Sequence, residues 1–155
     1  MGAKWHKPVL WIIDTSVFCN ILSVPGRSQD YKKVINDFAG MLKRGDKFIL
    51  PFAVILETGN HIGQSSIKRY SLAEEFVNTV QRTLKEKDPW KIFSMPTSKE
   101  FYEWLENYPE SADEGIGFGD YTIIKEWEKQ REKYSAYSVR IWSLDKDLQL
   151  GCKKF

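Results

Sequence analysis

Cysteine is scarce in this sequence: Cys19 and Cys152 are the only two, and neither stands in a CxxC or Cys/His ligand spacing. A zinc site or a disulfide framework is therefore not expected, and two free thiols suit a reducing compartment. Long hydrophobic runs are missing as well. The apolar stretch from Val9 to Ile13 is too short for a membrane span and has no cleavage region after it. The expectation is a soluble cytoplasmic protein with no membrane partner. Neither charge sign dominates, since 23 Lys and Arg against 21 Asp and Glu leave a net charge of +2. That excludes a histone-like basic binder but leaves room for a local basic groove around an acidic centre. Neither G-x-x-x-x-G-K-[ST] nor G-x-G-x-x-G occurs, so nucleotide-cofactor binding has no support. With no internal repeat, low-complexity tract or linker-like shift in composition, residues 1–155 read as one domain.

What is present is a strand–helix alternation. Val9 to Ile13, followed by an abrupt polar stop at Asp14, predicts a strand buried on both faces, as in a parallel sheet. Helical spacing follows over Ser28 to Leu42, with Ser28 as N-cap and Gly45 as the stop. "KFILP" predicts a second strand running into a helix over "FAVILETGNHI", whose Phe52, Ile55, Leu56 and Gly59 share a face. Ile67 to Leu84 predicts a longer amphipathic helix that ends before Pro89. "KIFSM" follows as a third strand, and Thr97 with Glu100 forms a capping box ahead of another helix. "PESADEGIGFG" predicts a loop, Asp120 opens a helix, and "VRIWSLD" predicts a strand ending at Asp145. This order predicts an α/β three-layer sandwich, a mostly parallel central sheet flanked by helices.

In such sheets, sites form beyond the carboxyl ends of the strands. Asp14 and Asp145 end strands, and Glu57 and Asp120 open helices, so all four can project over one edge. Four carboxylates about 5 Å apart would repel by roughly 3 kcal/mol per pair at an effective dielectric near 20. Protons or cations must offset that charge, and hard oxygen ligands favour Mg²⁺ or Mn²⁺, which also bind phosphate oxygens. Taken singly, each acid has an ordinary role. Asp14 suits a turn or cap, Glu57 a solvated helix face, Asp120 a helix N-terminus and Asp145 an Asx-turn. Their joint order is the signal.

Together, "WIIDTSVF", "LPFAVILETGNHI", "GFGDYTII" and "RIWSLDKDL" resemble the PIN domain, in the arrangement of VapC-type toxin ribonucleases, from about Val9 to Leu148. The resemblance implies a PIN-like single domain with divalent-metal-dependent endoribonuclease activity that leaves a 5′-phosphate and a 3′-hydroxyl. Asp14 then matches the first acid, with Thr15 and Ser16 as its polar followers. Glu57 matches the acid after the second strand, Asp120 the Gly-x-x-Asp acid with Gly117 before it, and Asp145 the acid of the terminal Thr-x-Asp motif. All four would be catalytic, with Asp14, Asp120 and Asp145 holding Mg²⁺ or Mn²⁺. Ser143 stands where the family has threonine and keeps the hydroxyl, and Asp147 competes with Asp145 in "SLDKDL". A last strand would have to come from "LQLGCKKF". RNA is the implied substrate, with an antitoxin protein and a homodimer as implied partners.

Other residues carry less. His61, one turn after Glu57, can approach the site, although metal-assisted hydrolysis needs no histidine. Asp113 and Glu114 suit a solvated loop, and Trp90 suits either base stacking or core packing. Basic residues such as Arg27, Lys43, Arg44, Lys125, Lys129 and Lys146 are scattered, and those near the site would contact phosphate. The alternative function is a catalytically weak PIN-like module that binds RNA or a protein partner. A phosphatase of the DxDx[TV] type fails because Ser16 stands two residues after Asp14.

Overall fold

A computed structural model gives the fold and describes residues 7–91, 95–145 and 148. Among these residues, four strands and six helices form an α/β sandwich with a wholly parallel sheet. The strands are β1 (Val9–Ile13), β2 (Lys47–Ile49), β3 (Trp90–Lys91) and β4 (Ser138–Trp142), in the order β3-β2-β1-β4. Helices α1 (Thr15–Ile21) and α2 (Tyr31–Lys43) connect β1 to β2, and α3 (Phe52–Gly63) and α4 (Arg69–Leu84) connect β2 to β3. Helices α5 (Ser98–Asp113) and α6 (Phe118–Lys133) lead from β3 back across the sheet to β4. Two crossovers step one way and the third steps back. Right-handed connections therefore put α1 to α4 on one face and α5 and α6 on the other.

Val9 to Ile13 is central because it pairs with strands on both sides, Leu10 with Lys47 and with Val139. Strand centrality demands apolar side chains on both faces, and Leu10, Ile12 and Ile13 are fully buried. One face carries an aromatic layer. Phe38 of α2 packs at 4.8 Å from Phe48 and stacks on Trp142 at 6.2 Å, with Trp90 alongside. Over β4, α6 packs Trp127, whose indole N–H donates to the Val139 carbonyl at 2.9 Å.

Several sequence expectations need correction. The segment after Asp14 is helical (α1), with Val17 and Phe18 fully buried. The N-cap of α2 is Asp30, not Ser28, while Gly45 at φ 83° closes that helix in the left-handed region that glycine tolerates. On α3 the buried residues are Val54, Thr58 and Ile62, so Phe52 and Leu56 face outward instead. On α4, Leu72 and Thr83 are buried and Tyr70 is 79% exposed. "PESADEGIGFG" is not all loop, because α5 runs through Pro109 to Asp113. The third strand is Trp90–Lys91, so Trp90 is a buried core residue and not a base-stacking platform. Residues 92–94 of "KIFSM", Asp147 and residues 149–155 of the last expected strand lie outside the described residues. The Thr97–Glu100 capping box forms as expected, with backbone bonds of 3.1 and 3.0 Å.

Candidate active site

The carboxyl end of β1 sets the geometry. Asp14 follows the strand directly, its amide donating to the Trp142 carbonyl at 3.0 Å, and it serves as the N-cap residue of α1. Its side chain is buried and is bound by two hydroxyls at the same oxygen. Ser16 donates to Asp14 Oδ2 at 2.9 Å and Ser143 donates to it at 2.7 Å. Ser16 Oγ in turn accepts from the Leu144 amide at 3.1 Å, and Ser143 Oγ accepts from the Asp145 amide at 2.9 Å. The short polar motif after β1 is thereby laced to the segment after β4.

The second acid comes from α3, where Glu57 does not open the helix as expected from the sequence but lies midway along Phe52–Gly63. Thr15 donates to Glu57 Oε2 at 2.9 Å, and His61 Nε2 lies 3.8 Å from Glu57 Oε1 one turn later. Glu57 is more than half exposed, as a residue at the mouth of a groove should be. The third acid, Asp120, stands in the first turn of α6, which Gly117 starts in extended conformation. Asp145 does not end β4 as expected from the sequence. The strand stops at Trp142, and Asp145 follows in the irregular segment beyond it.

Asp14, Glu57, Asp120 and Asp145 all line one open groove of about 520 Å³, together with Thr15 and Ser16. The sequence reasoning therefore placed the four acids on a common edge, and the fold brings them together there. Asp113 and Glu114 are exposed at the end of α5 and do not line this groove. Sequence reasoning missed the part of the lining made by Asn20, Gly26, Gln29 and Asp30, with Arg27 left among scattered cations. The signal for it lay in Val17, Phe18, Ile21 and Leu22, whose helical spacing defines α1 and hence the turn that follows.

Burial and like charge together set the electrostatics. The Asp120 carboxyl is pushed up to about 6, first by burial and then by the charges of Asp14, Asp145 and Glu57. A helix N-terminus favours a carboxylate, yet desolvation and repulsion outweigh it here. His61 is held below its usual value, first by burial and then by the Arg27 guanidinium, so the ring is neutral near pH 7. Cys19 also lines the groove, and burial raises its thiol to about 11, which leaves it unreactive at neutral pH.

Among the described residues, no three His, Cys, Asp or Glu side chains are drawn into a ready metal-ligand cluster. Mg²⁺ does not demand one, because it keeps several waters and is bound through one or two carboxylates plus substrate phosphate. An all-carboxylate donor set in which burial and then like charge raise Asp120 to about 6 fits a hard divalent cation, which would relieve the repulsive part.

Ordinary acid–base linkage gives the sign of the pH effect. Between its unfolded value of about 4 and about 6, Asp120 binds more protons folded than unfolded, so the stability it contributes falls as pH rises through that window. Asp120→Asn is thus expected to raise the melting temperature of the metal-free protein at neutral pH. Because ligands must be deprotonated, the melting-temperature rise on adding Mn²⁺ should be larger near pH 7.5 than near pH 5. Equal rises at both pH values would contradict a carboxylate-held ion.

Compared with protein-family models, curated proteins and solved structures, the chain matches none of them.

Proposed function

We propose that this chain is a divalent-metal-dependent endoribonuclease of the PIN type, hydrolysing RNA phosphodiester bonds. The observation that supports the reading most strongly is the convergence of Asp14, Glu57, Asp120 and Asp145 on one groove beyond the sheet's carboxyl edge. Asp14, Asp120 and Asp145 would hold Mg²⁺ or Mn²⁺, which when bound supplies counter-charge for the phosphate and lowers the pKa of an attacking water. The remaining chemistry belongs to side chains. Ser16 and Ser143 fix the rotamer of Asp14 by binding Oδ2, which leaves Oδ1 without a hydrogen bond to any described residue. Thr15 holds Glu57 by Oε2, and Glu57 Oε1 is the oxygen that would take the proton of the attacking water. His61, neutral and beside that oxygen, is a neighbour to which the proton can pass.

The hydroxyl pair has a measurable role under this reading. Groups that orient metal-holding carboxylates are worth about 10–100-fold in affinity or activity. Ser143→Ala should therefore weaken Mn²⁺ binding, measured by titration calorimetry, and slow turnover by a similar factor. Ser143→Thr, which keeps the hydroxyl, should stay near wild type. Equal affinity across all three proteins would remove Ser143 from the site.

A toxin held in check by an antitoxin extends the same reading, as does a homodimer. An apolar cavity of about 270 Å³ between α3, α5 and α6 supports such contacts, with Phe52, Leu56 and Phe101 exposed around it. The retention of all four acids around the groove favours an enzyme over a catalytically weak module that only binds RNA or protein. The deciding experiment incubates single-stranded RNA with the protein in Mg²⁺ or Mn²⁺ and in EDTA, and maps the ends of any products. Metal-dependent cleavage leaving 5′-phosphate is the expected result. RNA that stays bound and intact in every condition would replace the nuclease with the binding module.

A further inference from the structure

The groove is also walled by the turn between α1 and α2, and that turn is built to stay in place. Asn20 is buried and bridges two segments, its amide donating to the Ser16 carbonyl at 2.8 Å and its oxygen accepting from the Asp30 amide at 3.0 Å. Val24, almost wholly buried, anchors the middle of the turn, and its amide and carbonyl bond to Cys19 and Arg27 at 2.9 and 3.0 Å. Gly26, at φ 77°, allows the backbone to reverse directly before Arg27.

The turn therefore projects Arg27 at a fixed place along the groove. Its guanidinium charge is felt by Cys19 on α1 and by His61 on α3, so it faces the groove from which both of those side chains look out. Among the described residues lining this groove, Arg27 is the one permanent cation, against five carboxylates. It forms no ion pair with any described carboxylate, although Asp30 stands three residues away. An exposed guanidinium left unspent in an acidic groove presents a planar donor fork shaped for phosphate.

We propose that Arg27 binds a backbone phosphate of single-stranded RNA in the groove, and so sets the strand's position against Asp14 and Asp120. The inference rests on the nuclease reading of the groove. It assigns to the α1–α2 turn a share, alongside the divalent ion, in offsetting the repulsion between an anionic strand and an acidic site. The side chain does no chemistry; it is a binding and positioning residue that acts on every sequence alike, because phosphate carries no base information.

The test measures the affinity of a fluorescently labelled single-stranded RNA by anisotropy, on an Asp14→Asn background that prevents cleavage, across a salt series. Each phosphate contact on a single strand contributes about 0.7 to the slope of log affinity against log salt. Arg27→Ala should lower that slope by one contact and weaken binding about tenfold for unrelated RNA sequences alike. Arg27→Lys should keep most of the slope while losing part of the affinity, since a point charge replaces the fork. In the cleaving protein, Arg27→Ala should act mainly on KM, and Mn²⁺ affinity should not change. Slope and affinity equal to the parent in Arg27→Ala would overturn the assignment while leaving the nuclease reading intact. A parent protein that neither binds nor cleaves RNA would overturn both, before any Arg27 variant is compared.

Discussion

Asp14→Asn is expected to lose RNA hydrolysis by at least about 10³-fold, equivalent to roughly 4 kcal/mol of transition-state stabilisation, while remaining folded. Loss of activity follows because an amide cannot supply the anionic oxygen that a divalent ion and its bound water need at the centre of the groove. Retention of fold follows from the local bonding. The Asn carbonyl can still accept from Ser16 and Ser143, which reach Asp14 Oδ2 at 2.9 and 2.7 Å. Removing one charge from a repelling set relieves Asp120, on which Asp14 acts directly. The melting temperature should thus hold or rise as turnover collapses. Glu57→Gln, Asp120→Asn and Asp145→Asn should also lose activity. Hydrolysis by Asp14→Asn at the wild-type rate would sink the assignment of the site.

The largest stability effect should come from Phe48→Ala. Phe48 is fully buried in β2, with ring centroids 4.8 Å from Phe38, 5.9 Å from Trp90 and 6.4 Å from Trp142. Truncating a buried Phe costs about 3–5 kcal/mol when its neighbours cannot collapse into the gap. Three large rings held by a helix and two strands leave little room to do so. At about 2–4 °C per kcal/mol for a chain of this size, the melting temperature should fall by roughly 6–20 °C. Tyr70→Ala, at a residue 79% exposed on α4, should stay within about 0.5 kcal/mol of wild type. A thermal melt of both variants checks the pair. A Phe48→Ala protein as stable as Tyr70→Ala would show that the aromatic layer is not the core.

The parts of this fold legible in the sequence were those that local physics encodes. A five-residue apolar run makes a central strand because only a doubly covered strand tolerates it, and β1 spans that run. The capping box of α5 is written in Thr97 and Glu100 themselves. What misled was chemistry overridden by packing. Helix α1 carries Thr15, Ser16, Val17 and Asn20, all modest helix formers, and forms because Val17 and Phe18 bury completely. Pro109 looked like the end of α5. The helix continues past it because Tyr108 packs on Phe118 and Tyr121 and donates its hydroxyl to the Ile116 carbonyl. Trp90 was ambiguous because its pairing with Phe48 joins distant segments, and no neighbour in sequence announces it. The phase of α3 was misjudged because Gly59 suggested a core face. A Cβ at Gly59 would meet the Phe76 ring of α4 at 3.5 Å, an ordinary contact, so that position faces α4.

The four acids were legible for a related reason. Asp14 and Asp145 follow strands and Asp120 stands in the first turn of α6, while Glu57 lies midway along α3, which starts just beyond β2. The ends of parallel strands share one edge whatever the sequence between them. The place of Arg27 was not legible, since it depends on a turn whose geometry is set by the buried Asn20 bridge.

The bond from Ser143 to Asp14 spans 129 residues of chain, and that of Leu144 to Ser16 spans 128. Synthesis delivers the first acid 129 residues before the hydroxyl that orients it, a delay of roughly 6–26 s at about 5–20 residues per second. Until β4 slots in beside β1, Asp14 lacks both its partner from the far end of the chain and the company of Asp145. On the nuclease reading, a polypeptide made only as far as α6 would therefore carry three of the four acids without the working centre. The order of translation itself would then keep the growing chain harmless to the message that encodes it.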